Sequence, residues 1–223
     1  MSTDNSLPPV RADLPILGLL AAGWLACHHA VVEMSQRADE PRVALGVAGL
    51  SHPLVTAAER AADALTQASE QAVDDQMSPP LRAMTSFADH TRPGSWEEAV
   101  LKVHLMVGAA LDLRRLTGEN WPADVVPLAE ANPALELVAP LRETLETLVQ
   151  DQDVRSRLGL FGRRVIAEAT AQAQRVVARQ PQLTAALLGV EEGSLDELSA
   201  TTQLVADLVE GSAQRMLELK LQP

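Results

Sequence analysis

The chain has 223 residues, a formal net charge of −12, 47% apolar residues and a single cysteine. This length fits one domain of roughly 100–200 residues, the apolar content excludes a disordered chain, and Cys27 alone excludes a disulfide scaffold. The acidic surplus argues against a surface that wraps nucleic acid or an anionic membrane, because both need a cationic footprint. Aromatic residues make up only 2% and tyrosine is absent, while Ala, Leu, Glu, Gln and Arg dominate. Those are strong helix formers, and sheets draw instead on aromatic and β-branched residues, so the expected fold class is all-α. The basic residues are sixteen arginines and two lysines, Lys102 and Lys220, a bias that reads as nucleotide composition of the genome.

Residues 1–12 (MSTDNSLPPVRA) read as a loose N-terminal tail, and residues 13–223 as one helical domain without repeats or a clean linker. A first helix is expected over residues 14–36. Its apolar opening resembles the core of a signal peptide, but no positive leader precedes it. The run also ends at His28, His29 and Glu33, too soon for a membrane span of ~20 residues. A cytoplasmic protein with no membrane segment is the expectation. A second helix opens at Pro41 and continues to about residue 73, kinked near residues 50–52 because Pro53 removes a backbone donor.

Residues 77–80 (MSPP) read as the start of a connecting segment, and a short helix fits residues 81–90. Ser95 has the character of an N-cap, with Glu97 and Glu98 in the first turn where the helix dipole favours carboxylates. That helix stops at Thr117, and Gly118 is expected to supply a left-handed C-terminal position. Residues 121–133 are broken by Pro122, Pro127 and Pro133. Helical pattern resumes over residues 134–150, punctuated at Pro140, then over 154–179 and briefly near 182–188. The last helix starts at Ser194, which stands in capping-box spacing with Glu197, and runs to about residue 219. Four of these helices are long enough to form the sides of a bundle.

Metal sites in helical bundles repeat Glu-x-x-His pairs on facing helices, so that carboxylates and imidazoles converge. His29 and Glu33 have the one-turn spacing of two ligands on one helix. No second pair accompanies them: Gly49 stands three residues before His52, and the first acid after His104 is Asp112. A partial metal site can be drawn from His28 or His29, Glu33, His52, His104 and Asp112; the other reading is half-buried polar residues in helices. Arg155, Arg157, Arg163, Arg164, Arg175 and Arg179 stand against Glu168 alone. They suit phosphate or RNA backbone, which guanidinium groups grip bidentately, or ion pairs with Glu143, Glu146 and Asp151. Cys27 in an apolar helix reads as a small hydrophobe. With no Gly-rich phosphate loop and no nucleophile elbow in the chain, no catalytic residue is assigned.

Four stretches carry a family resemblance: LPILGLLAAGWLA near the start, SWEEAVLKVHLMVGAALDLRRLTG, RLGLFGRRVIAEATAQAQRVVARQPQLTAALLG and the closing AQRMLELKL. Together they resemble the actinobacterial ferritin-like domain family, related to the di-iron hydroxylases that modify the isopentenyl group of 2-methylthio-isopentenyladenosine in tRNA. The resemblance touches nearly all of the chain after residue 13, and the block 157–189 is its most specific part. It implies a ferritin-like four-helix bundle with additional C-terminal helices and a di-iron centre. Carried over residue by residue, most of the ligands are replaced. The acid of the family's YGEL motif falls on Trp24, its Glu-x-x-His on Gly49 and His52, and the acid of its VGDG motif on Val107 or Ala109. Asp112 matches the later acid of its ADF motif. Its last Glu-x-x-His belongs between residues 134 and 148, where this chain has carboxylates and no histidine.

The resemblance therefore leads to the expectation of a non-catalytic scaffold without a cofactor, its interior refilled by apolar side chains. Self-association or a protein partner is expected, and nucleic acid is disfavoured by the charge of −12. The alternatives are an iron-dependent oxygenase acting on tRNA or a small molecule through the rearranged histidine and carboxylate set, and an RNA- or phosphate-binding protein using the arginines.

Overall fold

The apolar opening run becomes the central helix. The computed structural model describes residues 13–222, and the expected tail over 1–12 lies outside the described residues. Among the described residues the elements are α1 (Asp13–Ser35), α2 (Pro41–Gly49), α3 (His52–Ala68), α4 (Glu70–His90), α5 (Trp96–Thr117), a 3₁₀ turn (Gly118–Asn120), α6 (Val126–Glu130), α7 (Leu135–Leu148), α8 (Gln152–Arg179), α9 (Pro181–Leu188) and α10 (Leu195–Glu218). α1 is long and apolar enough to cross a membrane by length and composition, and 61% of its most apolar window is buried against the rest of the fold. The helix matches the expected bounds, but the expectation that its apolar run is too short for a membrane span is corrected, since by length and composition alone it passes.

α1, α4, α8 and α5 form a closed circuit in which each packs on the next, so α8 belongs to the bundle itself. α3 lies against α1 and α4, α7 against α5, and α10 against α5 and α8. The main core gathers Trp24, Val31, Met34, Leu54, Phe87, Leu101, Leu158, Phe161 and Met216. A smaller cluster of Ile16, Leu17, Leu65, Trp121, Leu183 and Leu187 closes the end where α1 begins. Ser95 and Ser194 cap α5 and α10 as expected: each hydroxyl accepts the amide three residues on, Glu98 at 3.3 Å and Glu197 at 3.1 Å. Each glutamate reaches back to the glycine before the cap.

Three departures from the sequence reading have physical causes. The helix expected over 41–73 is three pieces: it breaks at Leu50 and Ser51 and ends at Ala68. Ser69 then caps α4, its hydroxyl accepting from the Ala72 amide at 3.0 Å. Second, residues 77–80 are no connector, because α4 runs unbroken through Pro79 and Pro80. Two prolines delete the amides that would bond the Asp75 and Gln76 carbonyls. The Gln76 carbonyl is turned toward Gly18, where a Cβ would collide with it. Close packing on α1 thus keeps α4 helical, as tertiary contacts often do against local propensity. Third, Gly118 is right-handed, at φ −63°. Its missing Cβ makes room for Arg114, whose guanidinium lies 4.9 Å over the Trp121 ring.

Candidate functional site

A cleft of about 360 Å³ opens between α1 and α4, with α5 at its floor. His28, His29 and Glu33 of α1 line it together with Lys102 and Met106 of α5 and Met84 of α4. Lys102 is only 1% exposed. Its ammonium lies 3.2 Å from Glu33 Oε2 and 3.5 Å from the Ala88 carbonyl, over the Phe87 ring at 5.7 Å. The second Glu33 oxygen is 3.2 Å from Arg37, and Arg37 is itself fixed by donating to the Pro93 carbonyl at 3.0 Å. Burial draws the Lys102 ammonium below its ordinary pKa range, and the Glu33 carboxylate opposes that shift.

His28 Nδ1 stands 3.0 Å from the Ser51 carbonyl. A carbonyl only accepts, so Nδ1 is the donor in this contact. The His29 ring lies 5.5 Å from that of His28. Partial desolvation, followed by the nearness of His28, lowers the His29 pKa.

His104 and Asp112 do not join this cleft. They share another face of α5, with Gly108 between them, and meet α10. Arg215 Nη2 is 2.7 Å from Asp112 Oδ2, a charge contact without hydrogen-bond alignment, and donates to the Gly108 carbonyl at 3.0 Å. A Cβ at Gly108 would strike the Arg215 guanidinium, and one at Gly211 would strike the Asp112 carboxylate. Each helix thus offers a glycine hole one turn from a charge, and each charge fills the other helix's hole. His104, buried beside this pair, is pushed down to about 4, by desolvation first and then by Arg215 and Arg142, with Glu218 opposing.

His52 is exposed at the start of α3, and Gly49 is exposed at the end of α2 with open space around its missing Cβ. The position on which the resemblance sets a Glu-x-x-His is therefore outside the core. Trp24 and Val107 are buried. Trp24 also makes a directed contact: its indole N–H donates to Asn132 Oδ1 at 3.1 Å, and the same oxygen accepts the Ala134 amide at 3.0 Å. That ties α1 to the start of α7. The expectation of a wholly apolar interior is corrected accordingly. Asp112 is buried and Glu33 partly buried, each facing a cation from a neighbouring helix.

Five of the six α8 arginines contact groups of the fold. Arg157 pairs with Glu97 at 3.6 Å and Arg175 with Glu168 at 3.7 Å. Arg155 donates to the Val149 carbonyl at 3.4 Å, Arg163 to Gln222 at 3.0 Å and Arg164 to His90 at 2.7 Å. Arg179 is exposed in the last turn of α8. The partners are thus mostly on α4, α5 and the C-terminal residues, not the Glu143, Glu146 and Asp151 that sequence proximity suggested.

Sequence reasoning missed Lys102 and Arg215. The signals were present: a lone lysine inside the apolar run VLKVHLMV, and an arginine one turn after Gly211. Their positions bear on the metal that the fold family implies. A di-iron centre needs several carboxylates and imidazoles converging from four helices. Among the described residues, no three His, Cys, Asp or Glu side chains are grouped to hold a metal ion. Lys102 and Arg37 take both oxygens of Glu33, and Arg215 lies on Asp112. The residues present do not fit a di-iron centre.

Compared with known proteins, the chain finds no match among curated sequences. A family model described as "Ferritin-like domain, actinomycetes" matches residues 10–190, ending just before α10. With that match over most of its length and an all-helical fold, the chain belongs to the actinomycete ferritin-like domain family.

Proposed function

We infer that this protein is a ferritin-like scaffold that performs no di-iron oxygen chemistry and works by binding a protein partner. One observation carries the reading: the Lys102 ammonium sits against Glu33, 3.2 Å away, inside the bundle. A cation bound through a carboxylate must outcompete an ammonium that is already desolvated and held by it. Arg215 on Asp112 repeats the arrangement between α5 and α10. Iron analysis of the purified chain tests the proposal. Substoichiometric iron that mild chelation removes without loss of structure is expected; two tightly held irons would refute it.

The partner-binding half rests on α2. No residue of this helix is buried, Val43 and Leu45 face solvent, and Arg42 is its only charge. On a protein of net charge −12, such a face lets two copies meet without opposing carboxylates, so a second copy is the partner named here. Sedimentation is expected to show self-association that Leu45→Glu abolishes. A wild-type chain that stays monomeric would remove this half of the reading.

A further inference from the structure

The outward side of α8 departs from the charge of the whole chain. Acids outnumber bases 30 to 18 in the sequence, yet none of the exposed residues from Ser156 to Ala178 is acidic. Glu168, the single acid of that stretch, is half-buried and engaged by Arg175 and Gln172. Leu160 lies at the centre of this side and is 65% exposed. Residues three and four apart share a helix face, so Arg157 stands one turn before Leu160, and Arg163 and Arg164 stand one turn after it, on either side. Ala167 and Ala178 carry the exposed strip along the helix. Arg163 donates to the Gln222 carbonyl at 3.0 Å and Arg164 to that of His90 at 2.7 Å. Both guanidinium groups are thereby held in place, and among the described residues neither has a carboxylate partner.

Arginines restrained by carbonyls keep their charge uncompensated and have little side-chain freedom left to lose on binding. Leu160 between them adds an apolar contact. The complement of this face is a helix that presents an apolar side chain with carboxylates one turn to either side. Guanidinium forks grip those carboxylates, and covering the leucine removes apolar surface from water. Nucleic acid fits worse. No aromatic residue is exposed on this side for bases to stack on, phosphates would face Leu160 without desolvating it, and the charge of −12 repels a long polyanion. We propose that the face of α8 around Leu160 docks an acidic amphipathic helix of a different protein. The surface is separate from α2, whose contact is with a second copy, so the proposal does not rest on self-association.

Fluorescence anisotropy tests this with the full-length chain and a synthetic helical peptide whose leucines, one turn apart, are flanked by glutamates. Saturable binding is expected, weakening as salt rises, because exposed charges are screened beyond about 8 Å at physiological ionic strength. Arg163→Gln with Arg164→Gln should weaken it by at least about tenfold. Leu160→Ser alters only an exposed side chain and keeps every arginine. It should weaken binding by a similar factor, so it decides the matter even if the arginine variant folds poorly. Leu45→Glu should bind the peptide as the wild type does, which separates this surface from α2. No saturable binding, a Leu160→Ser variant that binds unchanged, a single-stranded RNA bound more tightly than the peptide, or loss of binding in Leu45→Glu would each overturn the docking surface.

Discussion

Lys102 and Glu33 form one ion pair but are buried unequally, and this makes the cost of cutting the pair depend on which half is removed. The Lys102 side chain is 2% exposed, whereas that of Glu33 is 26% exposed and keeps Arg37 at 3.2 Å. In Glu33→Ala the ammonium keeps the Ala88 carbonyl and the Phe87 face as direct contacts, with Asp89 a more distant carboxylate and Arg37 opposing it. It must stay charged without a contacting carboxylate or give up its proton, and removing one partner of a buried pair costs about 3–5 kcal/mol. In Lys102→Met the carboxylate retains a guanidinium and some water, so about 1 kcal/mol is expected, the scale of a partly exposed pair. Combining the two removes both charges from the interior and should recover most of the Glu33→Ala loss, a strong non-additivity. Urea unfolding of the four proteins measures this directly. Equal single losses, or a double variant equal to the sum of the singles, would refute the claim that Lys102 depends on Glu33 for its place in the bundle.

Other outcomes follow from the same geometry. His104 titrates at about 4 in the fold against an ordinary 6.5, so the unfolded chain takes up the proton first; its contribution is complete above pH 6.5 and is lost as pH falls toward 4. That difference amounts to about 3 kcal/mol, and His104→Leu should flatten this part of the stability–pH curve, as chemical denaturation across the window would show. Gly211→Ala places a Cβ against the Asp112 carboxylate and should cost about 1–3 kcal/mol. Gly46→Ala, in open space within α2, should instead stabilise by roughly 0.5–1 kcal/mol, so paired thermal melts must move in opposite directions. The Cys27 thiol is buried and pushed up to about 12, so alkylation at pH 8 should follow global unfolding; rapid labelling of the folded protein would contradict its burial.

The helical class and the main helices could be read from composition and periodicity because helix formers and cap residues act locally. Ser95 and Ser194 cap where their sequence neighbours say they should. The errors arose where distant contacts decide. Pro79 and Pro80 read as a break because local rules see two lost amides, and nothing nearby in sequence reveals that α4 would be pressed onto Gly18 of α1. The ligand reading shared this weakness. His28, His29 and Glu33 reach one cleft because they lie on one helix, but His104 and Asp112 turn to another face of α5. The expected apolar interior missed Lys102 and Arg215, since a single lysine in an apolar helix can reach solvent along its stem. Here it reaches Glu33, 69 residues away in sequence. Gly108 and Gly211 likewise acquire meaning only once α5 and α10 are side by side.

The most direct examination of the central claim is a thermal melt of the metal-stripped chain, with and without excess iron(II) under anaerobic conditions. An interior already neutralised by Lys102 and Arg215 predicts coincident curves, because a ligand that does not bind the native state cannot stabilise it. A melting temperature that climbs with iron(II), saturating at about two ions per chain as a di-iron bundle requires, would contradict it.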